Sequence, residues 1–388
     1  MKIAVIGIEQ IITKPKQYEV NCQEIYSKIT DRGHQVDIFA QSKNKHTSYF
    51  SACYFRKIRI ITLISVSKNK IFFLINQILN IIWATFGNYD VIHVYGMTAG
   101  CFAWFPRLFS TAKIVISCAY LEHQQDSQGK LGTIISRWLE KIAINNAHEI
   151  VVNSKALENY FRQNHSVIPN YIPNAPSRQS KTEHQFNYGE ILGLEDQKYL
   201  LYLDKLEPEQ KPDLLIKAFQ SIRPLGWKLV LIGELGGFPR YANKLLDMAQ
   251  QDDIIFINDT RGYSLSEIIR HAGLLVVPSS KANLQFPGLI LKAMEVGLPV
   301  LASDIAVHQE MISKNRGLLF TSGNQESLTA QLQYAFDQPM SLLNMAENAQ
   351  TYVAIHHNWD RVIYKHLFLY LKPIKSRSKQ HSSYRPLP

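Results

Sequence analysis

The chain has no closely spaced cysteine pair. Cys22, Cys53, Cys101 and Cys118 form no Cys-x-x-Cys, and four scattered cysteines in 388 residues are too few for a disulfide framework. They point to a reducing compartment and to ordinary core or helix positions. No His-x-x-x-His or paired-cysteine spacing occurs, so a zinc site is not expected. A complete Gly-x-Gly-x-x-Gly or Walker pattern is also missing. Long apolar runs are absent too. The longest, Ile71–Phe86, contains Asn76, Gln77 and Asn80 and falls short of the roughly 20 apolar residues a membrane span requires, so it reads as a domain helix. Met1-Lys2 leads straight into a strand pattern, with no apolar leader and small-residue cleavage site. A cytoplasmic protein is the expectation.

Acidic residues are missing from two segments. Lys43, Lys45, Arg56, Lys57, Arg59, Lys68 and Lys70 fall within residues 42–70 without a single Asp or Glu, and the tail adds Lys372, Lys375, Arg377, Lys379 and Arg385. The net charge of +10 is concentrated there. Basic residues beside the apolar run suit an anionic membrane surface, contacted through residues 42–86 and the tail, with peripheral attachment at the inner face of a membrane. A solvated face and a disordered tail are the equally weighted alternative. Nucleic acid is not expected, because no DNA- or RNA-binding motif accompanies the charge.

What is present is a repeated strand–helix alternation. A chain of this length with 46% hydrophobic residues exceeds one ordinary core and implies two domains. Strand-like runs at Met1–Gly7, Val36–Phe39, Arg59–Leu63, Val91–Tyr95, Ile114–Cys118 and Ile150–Val152 alternate with helical segments. The pattern restarts with Lys198–Leu203, Lys228–Ile232, Ile254–Ile257, Leu274–Val277, Pro299–Ala302 and Gly317–Phe320. Such alternation predicts doubly wound parallel sheets. The Pro- and Asn-rich stretch Ile168–Pro176, followed by polar residues to Gln197, has the punctuation of a linker. The expected division is 1–168, a linker at 169–197, 198–355, a returning helix at 356–371 and a basic disordered tail at 372–388.

The motifs lie in the second half. They are Pro278-Ser279-Ser280 through Leu284, Lys292-Ala293-Met294, Gly297-Leu298-Pro299-Val300 and Ala302-Ser303-Asp304, preceded by Asp204-Lys205-Leu206 and Pro208-Glu209-Gln210-Lys211. This series resembles the family-four retaining glycosyltransferases. The resemblance implies the α/β GT-B fold: two Rossmann-like domains facing a cleft, with C-terminal helices crossing back to the first domain. It also implies a nucleoside diphosphate sugar as donor, a glycan or lipid-linked saccharide as acceptor, and no tightly bound cofactor or metal.

The working residues of that pattern are changed. Where the family has two glutamates, this chain has Leu284 and Lys292. Leucine offers no polar atom, and lysine carries three donors and no acceptor, so the contact that the family's second glutamate makes with the donor ribose cannot be repeated. In place of the arginine and lysine that cradle the diphosphate stand Lys205, which lacks the forked guanidinium, and Gln210, which lacks charge and has Lys211 beside it. Asp204 occupies a family glycine position and is expected to repel phosphate. Near the N-terminus Gly7 closes the first strand, but Lys16-Gln17-Tyr18-Glu19 has lost the family's glycine pair, leaving Glu19 alone. Gly233 and Glu234 occupy a glycine turn near the donor. The expected donor contacts are thus Gly7, Glu19, Lys205, Gln210, Lys211, Gly233, Glu234 and Lys292, with no catalytic residue assigned. Of two histidines near the first sheet, His123 reads as a loop residue and His93 as a satisfied core residue. Losing three charge-assisted hydrogen bonds at roughly 1.5–3 kcal/mol each removes about 5–9 kcal/mol, or four to six orders of magnitude in rate. The expectation is a glycosyltransferase of weak or absent turnover, with a non-catalytic GT-B binding or assembly module as the alternative.

Overall fold

The computed structural model describes residues 1–8, 17–40, 51–63, 70–121, 130–176, 192–234, 238–249, 252–257, 265–280 and 284–374, with the backbone alone at 17–20, 70–73 and 130. The chain divides into two compact units, one of residues 1–174 with 359–388 and one of residues 175–358.

The first unit runs β1 (Lys2–Ile6), α1 (Gln17–Asp31), β2 (Gln35–Phe39), β3 (Ser51–Phe55), β4 (Ile58–Thr62), α2 (Lys70–Phe86), β5 (Val91–Tyr95), α3 (Met97–Gly100), α4 (Trp104–Phe109), β6 (Lys113–Cys118), α5 (Lys130–Asn146), β7 (Glu149–Val152), α6 (Lys155–His165) and β8 (Asn170–Tyr171). Its sheet has the order β3-β4-β2-β1-β5-β6-β7-β8. Every neighbouring pair is parallel except β3–β4. Because Asn170–Tyr171 pairs with Val151–Val152, the Pro- and Asn-rich stretch begins inside this sheet.

The second unit runs β9 (Tyr199–Leu203), α7 (Pro212–Ile222), β10 (Lys228–Ile232), α8 (Pro239–Met248), β11 (Ile254–Ile257), α9 (Leu265–His271), β12 (Leu274–Val277), α10 (Gly288–Glu295), β13 (Val300–Ser303), α11 (Ala306–Ile312), β14 (Leu318–Phe320), α12 (Gln325–Asp337) and α13 (Pro339–His356). Its sheet is parallel in the order β11-β10-β9-β12-β13-β14, the doubly wound dinucleotide-type order with its switch point between β9 and β12. The near-continuous apolar strands follow from burial on both faces. Successive residues alternate between two cores: Leu201, Val230, Leu275 and Ala302 enter one, and Leu200, Tyr202, Leu229 and Val276 the other.

The last helix, α14 (Trp359–Leu371), packs on α1 within the first unit. Lys113 fixes its end by donating to the carbonyls of Leu369 at 2.5 Å and Lys372 at 2.6 Å, a cationic cap on otherwise unpaired C-terminal carbonyls. Tyr370 Oη lies 2.6 Å from His93 Nδ1, which is also 2.7 Å from Tyr26 Oη, while His93 Nε2 lies 2.7 Å from Ser117 Oγ. His93 is fully buried with both ring nitrogens engaged, as expected of a core residue, and burial pushes its pKa well below the usual histidine range.

The basic segment requires a correction. It has no acids in sequence, but the fold supplies them: Arg56 pairs with Glu24 at 3.0 Å, Lys57 with Asp31 at 3.1 Å, and Arg59 makes a two-armed contact with Asp37. The three of its seven cations whose side chains are described are all paired. Lys43, Lys45 and Lys68 lie outside the described residues, as do the tail cations from Lys375 onward. Cys53 departs from the expected core position, since it is exposed on the edge strand β3.

Candidate functional site

In the second unit, the motif residues gather at the carboxyl ends of β9, β10 and β12. This is the edge where parallel α/β sheets bind ligands, and the β9/β12 switch point is its natural crevice. A recess there is lined by Tyr202, Asp204, Gln210, Pro278, Ser279 and Leu289, among others.

Its walls are tied to one another by main-chain bonds. Ser280 N donates to the carbonyl of Glu209 at 3.2 Å, joining the Pro278–Ser280 turn to the short 3-10 turn Pro208–Gln210. Asp204 N donates to Ile232 O and Leu206 N to Glu234 O, each at 3.2 Å, so the Asp204–Leu206 and Gly233–Glu234 motifs run side by side. Gly233 is glycine for a packing reason: a Cβ there would stand 1.9 Å from the Asp204 carbonyl. Lys211 adopts the left-handed conformation, φ 55° and ψ 40°, at the N-cap of α7, allowing the chain to turn from the 3-10 turn into a helix that starts on Pro212.

The charges are arranged less favourably than their number suggests. Lys205 is exposed, and its Nζ lies 3.7 Å from Glu207 Oε1. The Asp204 carboxyl lines the recess, where burial raises its pKa above the usual carboxylate range against the opposing pull of the Lys205 N–H, which donates to it at 2.7 Å. Lys292 lies in α10 and is partly buried. Its Nζ is 3.4 Å from Ser266 Oγ of α9, and burial lowers its pKa, with Glu295 working the other way. Leu284 stands in the turn before α10.

Gly7 and Glu19 belong to the first unit and Gly7, like Gly233, has a packing role. With φ +93° its Cβ would sit 2.0 Å from the Tyr95 carbonyl, so the end of β1 can approach β5 only as glycine. Glu19 is in α1, with its side chain outside the described residues, as are His123 and residues 235–237.

Sequence reasoning missed the supports. Ser303 Oγ, fully buried, donates to Ser279 O at 2.5 Å and holds the Pro278–Ser280 turn against β13. His308 sits with Nδ1 3.0 Å from Ser303 O, and burial lowers its pKa to about 4, so it is neutral at pH 7. Tyr202 Oη donates to Lys205 O at 2.7 Å and fixes the loop after β9. A serine or tyrosine at a strand end gives no sign in sequence of which neighbouring loop it will reach. Among the described residues no group of three or more His, Cys, Asp or Glu is arranged to hold a metal ion.

The comparisons agree with this architecture. Residues 185–352 match the family described as "Glycosyl transferases group 1", and residues 19–175 match "Glycosyltransferase Family 4". The chain is 28% identical over 170 residues to the lipopolysaccharide 1,2-N-acetylglucosaminetransferase of Salmonella typhimurium, covering 41% of this chain and 44% of that one. All the curated relatives it matches at this level are matched over less than half their length. A sucrose-phosphate synthase from Thermosynechococcus elongatus superposes with a TM-score of 0.77 at 19% identity, over 95% of this chain and 98% of that one. Anabaena HepE in complex with UDP-glucose superposes at 0.71 and 17% identity, over 95% and 99%. With both halves matched by glycosyltransferase models and both sheets in doubly wound order, the chain belongs to the family-four glycosyltransferases of the GT-B fold.

Proposed function

We propose that this chain binds a nucleoside diphosphate sugar at the carboxyl edge of β9 and β12 and transfers its sugar to a glycan or lipid-linked saccharide with a severely weakened chemical step. The observation that carries the binding half is the convergence of the Asp204, Gln210 and Ser279 loops at the switch point, the edge where parallel α/β sheets take ligands, with Lys205 and Lys211 on the loop that borders it. UDP-glucose in the HepE complex supports a uridine nucleotide as the first donor to try. The weakened step rests on Leu284 and Lys292, which supply no carboxylate where the family pattern has two. A cation at Lys292 favours a diphosphate oxygen over a ribose hydroxyl, because it donates and cannot accept.

The setting we propose is the inner face of a membrane, with peripheral attachment. Support comes from α2, whose outer side exposes Trp83 and Phe86, and from the basic residues of the tail.

The test is calorimetric titration with UDP, GDP and their glucose and mannose conjugates at moderate salt. Micromolar binding of one nucleotide, weakened about tenfold by Lys211→Ala or Lys292→Ala, is the expected result. Absence of binding to every nucleotide would instead make the chain a non-catalytic module on a glycosyltransferase fold.

A further inference from the structure

Two helices of the first unit are turned the wrong way round for water. In α5, Ser136, Glu140 and Ala143 face inward and are buried, and the Glu140 carboxylate is held 2.8 Å from His165 Nε2. The outward positions are Leu131, Ile134, Ile135 and Trp138, exposed by 77, 67, 50 and 62%. Their spacing of i, i+3, i+4 and i+7 is that of a core-facing helical stripe, presented here to solvent.

The second helix shows part of the same inversion. On α2 the buried face carries Asn76, Gln77 and Asn80 beside Ile81 and Ala84, and the three side-chain amides have no hydrogen-bond partner among the described residues, while Trp83 and Phe86 point outward. Both helices pack against α3 and the 3-10 turn that follows it, so they share one layer. Amphipathic helices normally bury the apolar face, and orphaned amides inside a protein cost free energy, so the same inversion in two adjacent helices calls for an apolar medium outside.

We infer that the outer stripe of α5 is the face that enters an anionic lipid bilayer, an inference that rests on the peripheral attachment proposed above. The charges select lipid: the described outer side of α5 adds Arg137 and Lys141, both exposed, and no acid, because Glu140 is turned inward. That arrangement of Trp and large aliphatics flanked by cations matches an interfacial helix lying in the headgroup region.

The experiment uses the full chain and co-sedimentation with phosphatidylcholine vesicles, with and without phosphatidylglycerol. The double variant Ile134→Glu/Trp138→Glu alters exposed positions only, and unchanged circular dichroism and thermal midpoint confirm its fold. It is expected to weaken partitioning into phosphatidylglycerol vesicles about tenfold or more. Arg137→Gln and Lys141→Gln each lower it about fivefold at low salt, with little effect on neutral vesicles. A double variant that partitions like the parent would overturn the α5 assignment and leave attachment to another surface. A parent chain that binds no vesicle would overturn both. Self-association of the parent that the variant abolishes would make the stripe a protein–protein face and end the lipid assignment.

Discussion

The two units repeat one fold and treat their polar groups in opposite ways. In the first, Tyr26, His93, Ser117 and Tyr370 satisfy one another beneath the sheet, drawing α1, two central strands and the last helix into one network. In the second, polar groups are left at the carboxyl edge: Asp204, Gln210 and Ser279 line a shallow recess whose loops are tied together by main-chain bonds and by Tyr202 and Ser303. A polar cluster closed on itself contributes stability and order, whereas one held by its supports from behind is available to a ligand. A shared doubly wound core therefore carries a closed polar cluster in one unit and polar groups at its strand ends in the other.

The strongest test of the shared element is at the two strand-end glycines. Gly7→Ala and Gly233→Ala force a Cβ to 2.0 and 1.9 Å from a carbonyl oxygen, far inside van der Waals contact, and each is expected to destabilise its unit by more than about 3 kcal/mol, read as lost denaturant midpoint. Equal sensitivity would show that both glycines are structural first, whatever the second one's ligand. Next in size is Leu284→Glu/Lys292→Glu, which restores the family's carboxylate pair. It should raise transfer from the preferred donor by about two orders of magnitude, measured as nucleotide release with acceptor. An unchanged rate would place the defect elsewhere, with Asp204 the first suspect.

Tyr370→Phe isolates the first unit's network. It should cost about 1 kcal/mol of stability and leave nucleotide affinity unaltered, since Tyr26 still reaches His93 Nδ1. A change in affinity would mean that the closed cluster communicates with the open one. The smallest effect belongs to Asp204→Asn. Burial raises the carboxyl's folded pKa above its unfolded value, so the folded state loses stability as pH rises through that range, and the cost is absent below about pH 4. The asparagine variant should be slightly more stable than the parent at neutral pH, with the difference fading as pH falls toward 4, and it should bind UDP more tightly. Urea midpoints across pH and calorimetry at pH 7 check both halves.

The sheets were legible because buried parallel strands are continuous apolar runs: Lys228–Ile232 and Ile254–Ile257 occur where the pattern predicts them. The edge strand Ser51–Phe55 was not, since most of its side chains face solvent and only its pairing with β4 identifies it. Asn170–Tyr171 was hidden for a similar reason, a two-residue strand among prolines whose partner is β7. In the site, departure from the family pattern belongs to the proposal, but the residue types at Asp204, Gln210, Leu284 and Lys292 could be read directly. Their placement could not, because it depends on Ser280 reaching Glu209 and Ser303 reaching Ser279, contacts between loops distant in sequence.

Sequence by itself determined the fold family and the parallel sheets, since hydrophobic period and side-chain chemistry are local properties. Tertiary structure alone decided which charges are spent and which face solvent. Arg56, Lys57 and Arg59 look like a basic patch until Glu24, Asp31 and Asp37 arrive from other elements, and the apolar stripe of α5 looks like core until the helix packs with that side outward. Charge pairing and exposure are set by neighbours in space, which no single segment of the chain contains.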